Sequence, residues 1–369
     1  MGFATARWVS VATPGVKPAK SAWTRRVGFD WAAGEWEGIT ATFTPTGEPE
    51  QLPEHYVPGA FREWGVELWD WQSQCSSTTA VDTGGNRKLR SMVRRLMPTV
   101  GCEADAIAFT EEQSGSSSSS SSSSSDADGT AAADAGVLLV ASADGSYSTG
   151  PATWPAADKK HPTQVQLEHC FVLPQQQQTG PQQQQQQQQQ QPRFRVKVVQ
   201  NFKRAWGPAG GWRLTGIDLH REKYDGPYTG KRDLAGCGGG QSGIAQQPAL
   251  QPQQLAGNWA AATAAAAGAD AAPQPSQLLL VGSGGTAAAG AVASCFDASG
   301  AAAGGVVAAL LPLGAWSAVD INDEGRLRRA EAGVLLEGGG KRLVSVRRYS
   351  VAGDVGELVE AGLVLQCKQ

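Results

Sequence analysis

Apolar and polar residues alternate along several stretches of this chain with a period of two, the spacing of a strand whose faces meet different surroundings. At 164–173, Val165, Leu167, His169 and Phe171 alternate with Gln164, Gln166, Glu168 and Cys170. The run from Arg193 to Phe202 and the run from Trp212 to Lys223 flank a turn at Gly207-Pro208-Ala209-Gly210-Gly211, which predicts a hairpin. At the C-terminal end, Lys341 to Tyr349 and Val355 to Lys368 flank Ala352-Gly353-Asp354 and predict a second one. Shorter apolar runs at 136–141, 278–281, 306–311, 315–321 and 333–336 are further candidate strands, and Leu89 to Met97 reads as a strand or a short helix with a basic edge.

Two glycine–tryptophan pairs organise these runs. Gly34-Glu35-Trp36 opens an extended stretch through Phe43, and Gly257-Asn258-Trp259 repeats the spacing far downstream. A glycine two residues before a tryptophan suits entry into a barrel, since the backbone bends tightly at the glycine while the indole plugs one end. Each copy is followed by one of the hairpins, so the chain is expected to be all-β, with two antiparallel barrels at 29–230 and 255–369 joined by a Gly/Gln-rich linker at 231–254. The serine run 116–125 and the glutamine-rich run 175–191 cannot bury enough apolar surface to order themselves, and they mark disordered insertions at 113–130 and 174–192.

The run from Phe61 to Gln72 is rich in aromatic residues and reads as a strand with bulky groups on both faces. Trp64, Trp69 and Trp71 are candidate pocket-lining groups, with Glu67 and Arg221 as candidate polar contacts. Trp154, in a proline-rich loop, is expected to matter little for stability.

Charge and composition exclude several classes. With 31 basic and 34 acidic residues the net charge is −3, which offers no field for nucleic acid or an acidic membrane. No apolar run approaches the roughly 20 residues needed to span a bilayer. The six cysteines are scattered without a Cys-x-x-Cys pair, favouring reduced thiols, and the four histidines lack metal-ligand spacing, so no metal is expected. Leu278 to Ala287 contains a G-x-G-x-x-A pattern after an apolar run, but an Ala/Gly-biased region produces that pattern readily and no cofactor is expected there. Gly236 to Gly240 reads as linker. Residues 1–28 contain no Asp or Glu and carry five basic residues, a composition that suits either an organelle transit peptide or a disordered basic tail.

Trp36-Glu37-Gly38, Phe61-Arg62-Glu63-Trp64, Gln200-Asn201-Phe202, Arg221-Glu222-Lys223, Asp225-Gly226-Pro227, Leu311-Pro312-x-Gly-x-Trp316, Glu331-Ala332-Gly333 and Arg347-Arg348-Tyr349 together resemble an uncharacterised plastid and cyanobacterial family of the calycin superfamily, the lipocalin-like barrels. The resemblance implies two lipocalin-like barrels, a plastid location or otherwise a cytoplasmic one, and no established activity. It also implies that a late-strand arginine closes each barrel end by stacking over the indole: Arg195 or Arg221 over Trp36, and Arg347 or Arg348 over Trp259. The function expected is binding of a small apolar or amphipathic molecule, such as a tetrapyrrole, carotenoid or lipid, without catalysis. A chromophore-lyase or isomerase-like enzyme using Glu37, Glu67 or Arg221 is one alternative, and a scaffold with filled barrels is another.

Overall fold

The computed structural model describes residues 31–81, 87–100, 107–116, 137–142, 144–154, 164–174, 193–204, 211–230, 243–261, 295–351 and 356–369. The first thirty residues, the glutamine run, nearly all of the serine run, the glycine cluster at 236–240 and the dinucleotide-like pattern at 278–287 lie outside the described residues.

The chain is all-β. Its first half runs through β1 (Gly34–Phe43), β2 (Pro49–Glu50), the short helix α1 (Gly59–Glu63), β3 (Asp70–Val81), β4 (Arg87–Leu96), β5 (Ile107–Ser116), β6 (Val137–Ala141), β7 (Tyr147–Pro151), β8 (Thr153–Trp154), β9 (Gln164–Val172), β10 (Phe194–Arg204) and β11 (Trp212–Gly226). The second half contributes α2 (Pro252–Leu255), β12 (Trp259–Ala261), β13 (Val306–Leu310), β14 (Ala315–Ile321), β15 (Leu327–Leu335), β16 (Lys341–Tyr349) and β17 (Gly356–Lys368). Both expected hairpins form, as β10–β11 and β16–β17.

The first sheet has ten strands, and pairing of β1 with both β3 and β11 closes it into a barrel. Its neighbours are antiparallel except for one parallel bridge between β5 and β6. The second sheet, in the order β12-β17-β16-β15-β14-β13, curls without β12 and β13 pairing among the described residues, and β8 of the first half adds to β17.

The run expected to be one strand from Phe61 to Gln72 divides in two. Pro58 and Gly59 start a helical turn in which Trp64 N donates to Ala60 O, Gly65 then takes a left-handed φ of 65°, and the strand begins only at Asp70.

Strand alternation gives the barrel two unlike faces. On β10, Val196, Val198 and Phe202 point outward against Ala309, Leu311, Ala315 and Val319 of the second half in one continuous apolar cluster, while Arg195 and Lys197 point inward. Trp154, expected in a proline-rich loop to matter little for stability, is 3% exposed within this cluster, with edge contacts to Phe202, Trp212 and Tyr349. The sheets also exchange polar groups. Gln200 Nε2 donates to Ser317 Oγ at 2.8 Å and to Glu331 O at 3.0 Å, and Arg347 donates in the opposite direction to Ser148 Oγ, Leu138 O and Gly150 O at 3.1–3.2 Å. His169 Nδ1 lies 2.7 Å from Ser345 Oγ across the same boundary.

Candidate functional site: the interior of the first barrel

The closed end of the barrel is built on β1. Gly34 has φ 132° and stands where any side chain would run into Tyr224, so the strand can enter with Trp36 turned inward and fully buried. The Arg195 guanidinium lies over that indole, 3.9 Å from the ring centroid, and Arg193 lies 3.7 Å from the centre of the Tyr224 ring. Arg195 Nη1 also donates to Ala32 O at 3.3 Å, which ties the segment before β1 across the opening.

The second half repeats this construction in the same register. Gly257 has φ 116°, Trp259 opens β12, and the arginine over its ring is Arg342 at 4.4 Å. The expectation of Arg347 or Arg348 is therefore corrected. Inward and outward positions alternate along β16, and Arg347 falls on the face toward the first barrel, while Arg348 is exposed and pairs with Glu360 at 3.0 Å. The acceptors correspond as well. Arg195 Nε donates to Glu222, its direct cross-strand partner, at 2.5 Å, and Arg342 Nε donates to Gln366, its direct cross-strand partner, at 2.8 Å.

Beyond this shared frame the two interiors differ. In the first barrel Lys197 Nζ stands 3.0 Å from Glu222 Oε1 as a buried ion pair, and Cys75 Sγ accepts from Arg195 Nη2 at 3.2 Å and from Lys197 Nζ at 3.8 Å. Burial alone would raise the Glu222 carboxyl, but Arg195 and Lys197 outweigh it and hold the group at about 2. Burial would lower Lys197, but the Cys75 sulfur and Glu222 hold it above its ordinary value. At the matching positions the second half carries Val344 for Lys197, Val364 for His220 and Gln366 for Glu222.

A belt of inward side chains crosses the barrel next to these groups. Successive register partners are Trp71, Thr40, His220, Lys197, Cys170 and Tyr147. Thr40 Oγ1 donates to Ser73 Oγ at 3.1 Å and lies 2.7 Å from His220 Nδ1. Burial, with the nearby Lys197 charge, lowers His220 to about 3, so the imidazole is neutral. Burial pushes the Cys170 thiol up to about 12 and raises the Tyr147 phenol, whose hydroxyl donates to Glu168. Toward the other end, Arg95 Nη2 pairs with Asp218 Oδ2 at 3.0 Å, and Thr42 and Asn201 also donate to Asp218. Arg95 outweighs burial and keeps that carboxyl below its ordinary value.

Of the five expected contact residues, only Trp71 lies on this inner face, where its ring meets Tyr56 edge-on at 5.1 Å. Trp64 is 62% exposed beyond α1, Glu67 is exposed in the coil before β3, and Trp69 packs against the apolar cluster between the sheets. Arg221 and Glu37 fall on outward positions of β11 and β1, the latter 3.9 Å from Lys223. Lys197, Glu222, His220, Cys75, Tyr147 and Glu168 were not singled out in the sequence as site residues. Their signal is the alternation of charge with valine in Arg195-Val196-Lys197-Val198, which reads equally well as a strand with one solvated face.

Among the described residues no group of histidine, cysteine and carboxylate side chains has metal-holding geometry, and no helix is long and apolar enough to cross a membrane. No family model and no curated protein matches the sequence. Among solved structures, a protein of unknown function from the DUF3598 family of Nostoc punctiforme aligns over 95% of this chain and 100% of its own, at 17% identity and a TM-score of 0.42. An S-type phycobiliprotein lyase from Guillardia theta aligns over 53% of this chain and 90% of its own, at 10% identity and a TM-score of 0.21. Alignments this loose transfer no residue roles.

Proposed function

We propose that the first barrel binds a small amphipathic molecule of the tetrapyrrole, carotenoid or lipid class in its interior and holds it without turnover. One observation carries this reading: the buried Lys197–Glu222 pair and the neighbouring His220 are replaced by Val344, Gln366 and Val364 at the matching positions of the second half. Closing a barrel over its tryptophan needs an arginine and an opposite acceptor, and Gln366 performs that task without charge. Burying an ion pair costs several kcal/mol of desolvation that an apolar filling avoids, so charge kept here beyond the closing frame favours recognition over packing.

Titrating the protein with members of these ligand classes, while following tryptophan emission, tests the proposal. Saturable quenching at one molecule per chain is expected. Conversion or covalent transfer of the ligand would support the enzyme reading instead, and no saturation with any class would support a filled barrel that works through its surface.

A further inference from the structure

Among the described side chains in the middle of the first barrel, the charges are engaged with one another. Arg95 faces Asp218, and Arg195 and Lys197 converge on Glu222. Lys197 also feels Glu168, which accepts the Tyr147 hydroxyl. A ligand carboxylate brought into this interior would meet carboxylates and cations already engaged with one another, and a ligand ammonium would meet the same cations with their carboxylates already taken. Either charge would be buried with no free counter-charge among the described groups.

Among the described residues, Thr149 is a buried inward hydroxyl left without a hydrogen-bond partner. On β7, Ser148 and Gly150 face Arg347 of the second sheet, which turns Tyr147 and Thr149 toward the barrel interior. Thr149 stands directly opposite Glu168 on one side and Leu139 on the other and is 2% exposed, yet its Oγ1 has no hydrogen-bond partner. A buried hydroxyl without a partner carries a desolvation cost that a ligand with a complementary oxygen would remove. Apolar groups adjoin it on the same inner face, with Leu139, Ala141 and Leu89 in one buried cluster with Tyr147 and Cys170.

Resting on the ligand-binding reading above, we infer that the ligand is uncharged, an apolar body ending in a hydroxyl or carbonyl oxygen, and that Thr149 Oγ1 is the group that receives this oxygen. Selection works by charge balance against acids and amines and by one hydrogen bond against bare hydrocarbon.

The test is displacement of the neutral fluorescent probe Nile red from the full chain by dodecanol, dodecanoate and dodecane at neutral pH. The alcohol is expected to compete about tenfold better than either of the others, the worth of one well-made buried hydrogen bond. Thr149→Val should remove the preference of alcohol over alkane, and Thr149→Ser, which keeps the hydroxyl, should retain it, with melting temperatures of both variants close to the parent. If dodecanoate competes as well as dodecanol or better, the inference fails while binding itself stands. If Thr149→Val leaves the preference intact, Thr149 is not the receiving group, and the assignment is overturned. If Nile red does not bind, or none of the three displaces it, the binding reading fails and takes the inference with it.

Discussion

Glu222 and Gln366 occupy the same register position in the two halves of the chain, each directly opposite the arginine that covers its tryptophan. One carries a charge and the other does not, so the protein contains its own control for what the charge does. Gln366 serves one donor, Arg342, whereas Glu222 serves Arg195 and also holds Lys197. The Lys197→Val and Glu222→Gln substitutions copy the second half onto the first. Glu222→Gln should cost about 3–5 kcal/mol, because it leaves the buried Arg195 and Lys197 without their carboxylate, whereas Lys197→Val leaves Glu222 paired with Arg195 and should cost less, about 1–3 kcal/mol. The pair of substitutions should cost less than the sum by roughly 2 kcal/mol, a coupling within the usual range for contacting residues. Urea unfolding of the parent, the two single variants and the double variant measures that coupling, and strict additivity would show that the pair does not interact.

Acid should destabilise the protein in two stages. His169 is held at about 3, first by burial and then by the Arg347 charge, and His220 at about 3, first by burial and then by Lys197. His169 is enclosed by Ser148, Ser345, Gln200 and Arg347, and His220 has Thr40, Lys197, Glu222, Arg95 and Asp218 around it. Both rings are neutral in the folded chain and take up protons near 6.5 once unfolded. Stability is therefore present above about 6.5 and is lost as pH falls toward 3, at up to about 1.4 kcal/mol per pH unit for each histidine. Glu222, depressed from 4.5 to about 2, contributes stability above about 4.5 that is lost as pH falls through 2. Urea midpoints at pH 7, 6 and 5 should fall with a slope that His169→Gln reduces by about half. An unchanged slope would place the acid sensitivity elsewhere.

Three tryptophans should separate by burial. Trp36→Ala and Trp154→Ala should each cost about 3–5 kcal/mol, since both rings are enclosed, whereas Trp64→Ala should cost under about 0.5 kcal/mol. Thermal unfolding of the three variants checks the order, and a mild Trp154→Ala would mean that the apolar cluster shared by the two sheets contributes little to stability.

Trp154 shows where the sequence stops being readable. Its flanking prolines signal a loop, which is locally true of a two-residue strand, but its burial comes from Tyr349 and Trp212, which are distant in sequence. The strands and both hairpins were legible, because alternation and turn glycines are local signals. The glycine–tryptophan repeat was legible for the same reason. The arginine over Trp259 was not, since Arg342 and Arg347 lie on opposite faces of one strand, and the choice depends on which face meets the first barrel. The interior site was hidden for a related reason. On β10 both faces are buried, one among apolar residues of the second sheet and the other among charges, and a strand pattern alone reads charged positions as solvent-facing. The run at 61–72 misled in the opposite direction, because its aromatic content suggests a strand while Pro58 and Gly65 break it into a turn and a coil.

The account rests on the first barrel holding a guest. Native mass spectrometry of the full chain, incubated with a total lipid and pigment extract and then desalted, tests this most directly. The result expected is a single added mass of one small molecule per chain, accompanied by stabilisation of about 2.7 kcal/mol when the isolated compound is supplied at 100 times its dissociation constant. The capture should be weakened in the Lys197→Val/Glu222→Gln variant, whose near-UV circular dichroism reports whether it is folded. A chain that stays at its bare mass, and whose unfolding no fraction of the extract alters, would contradict the account.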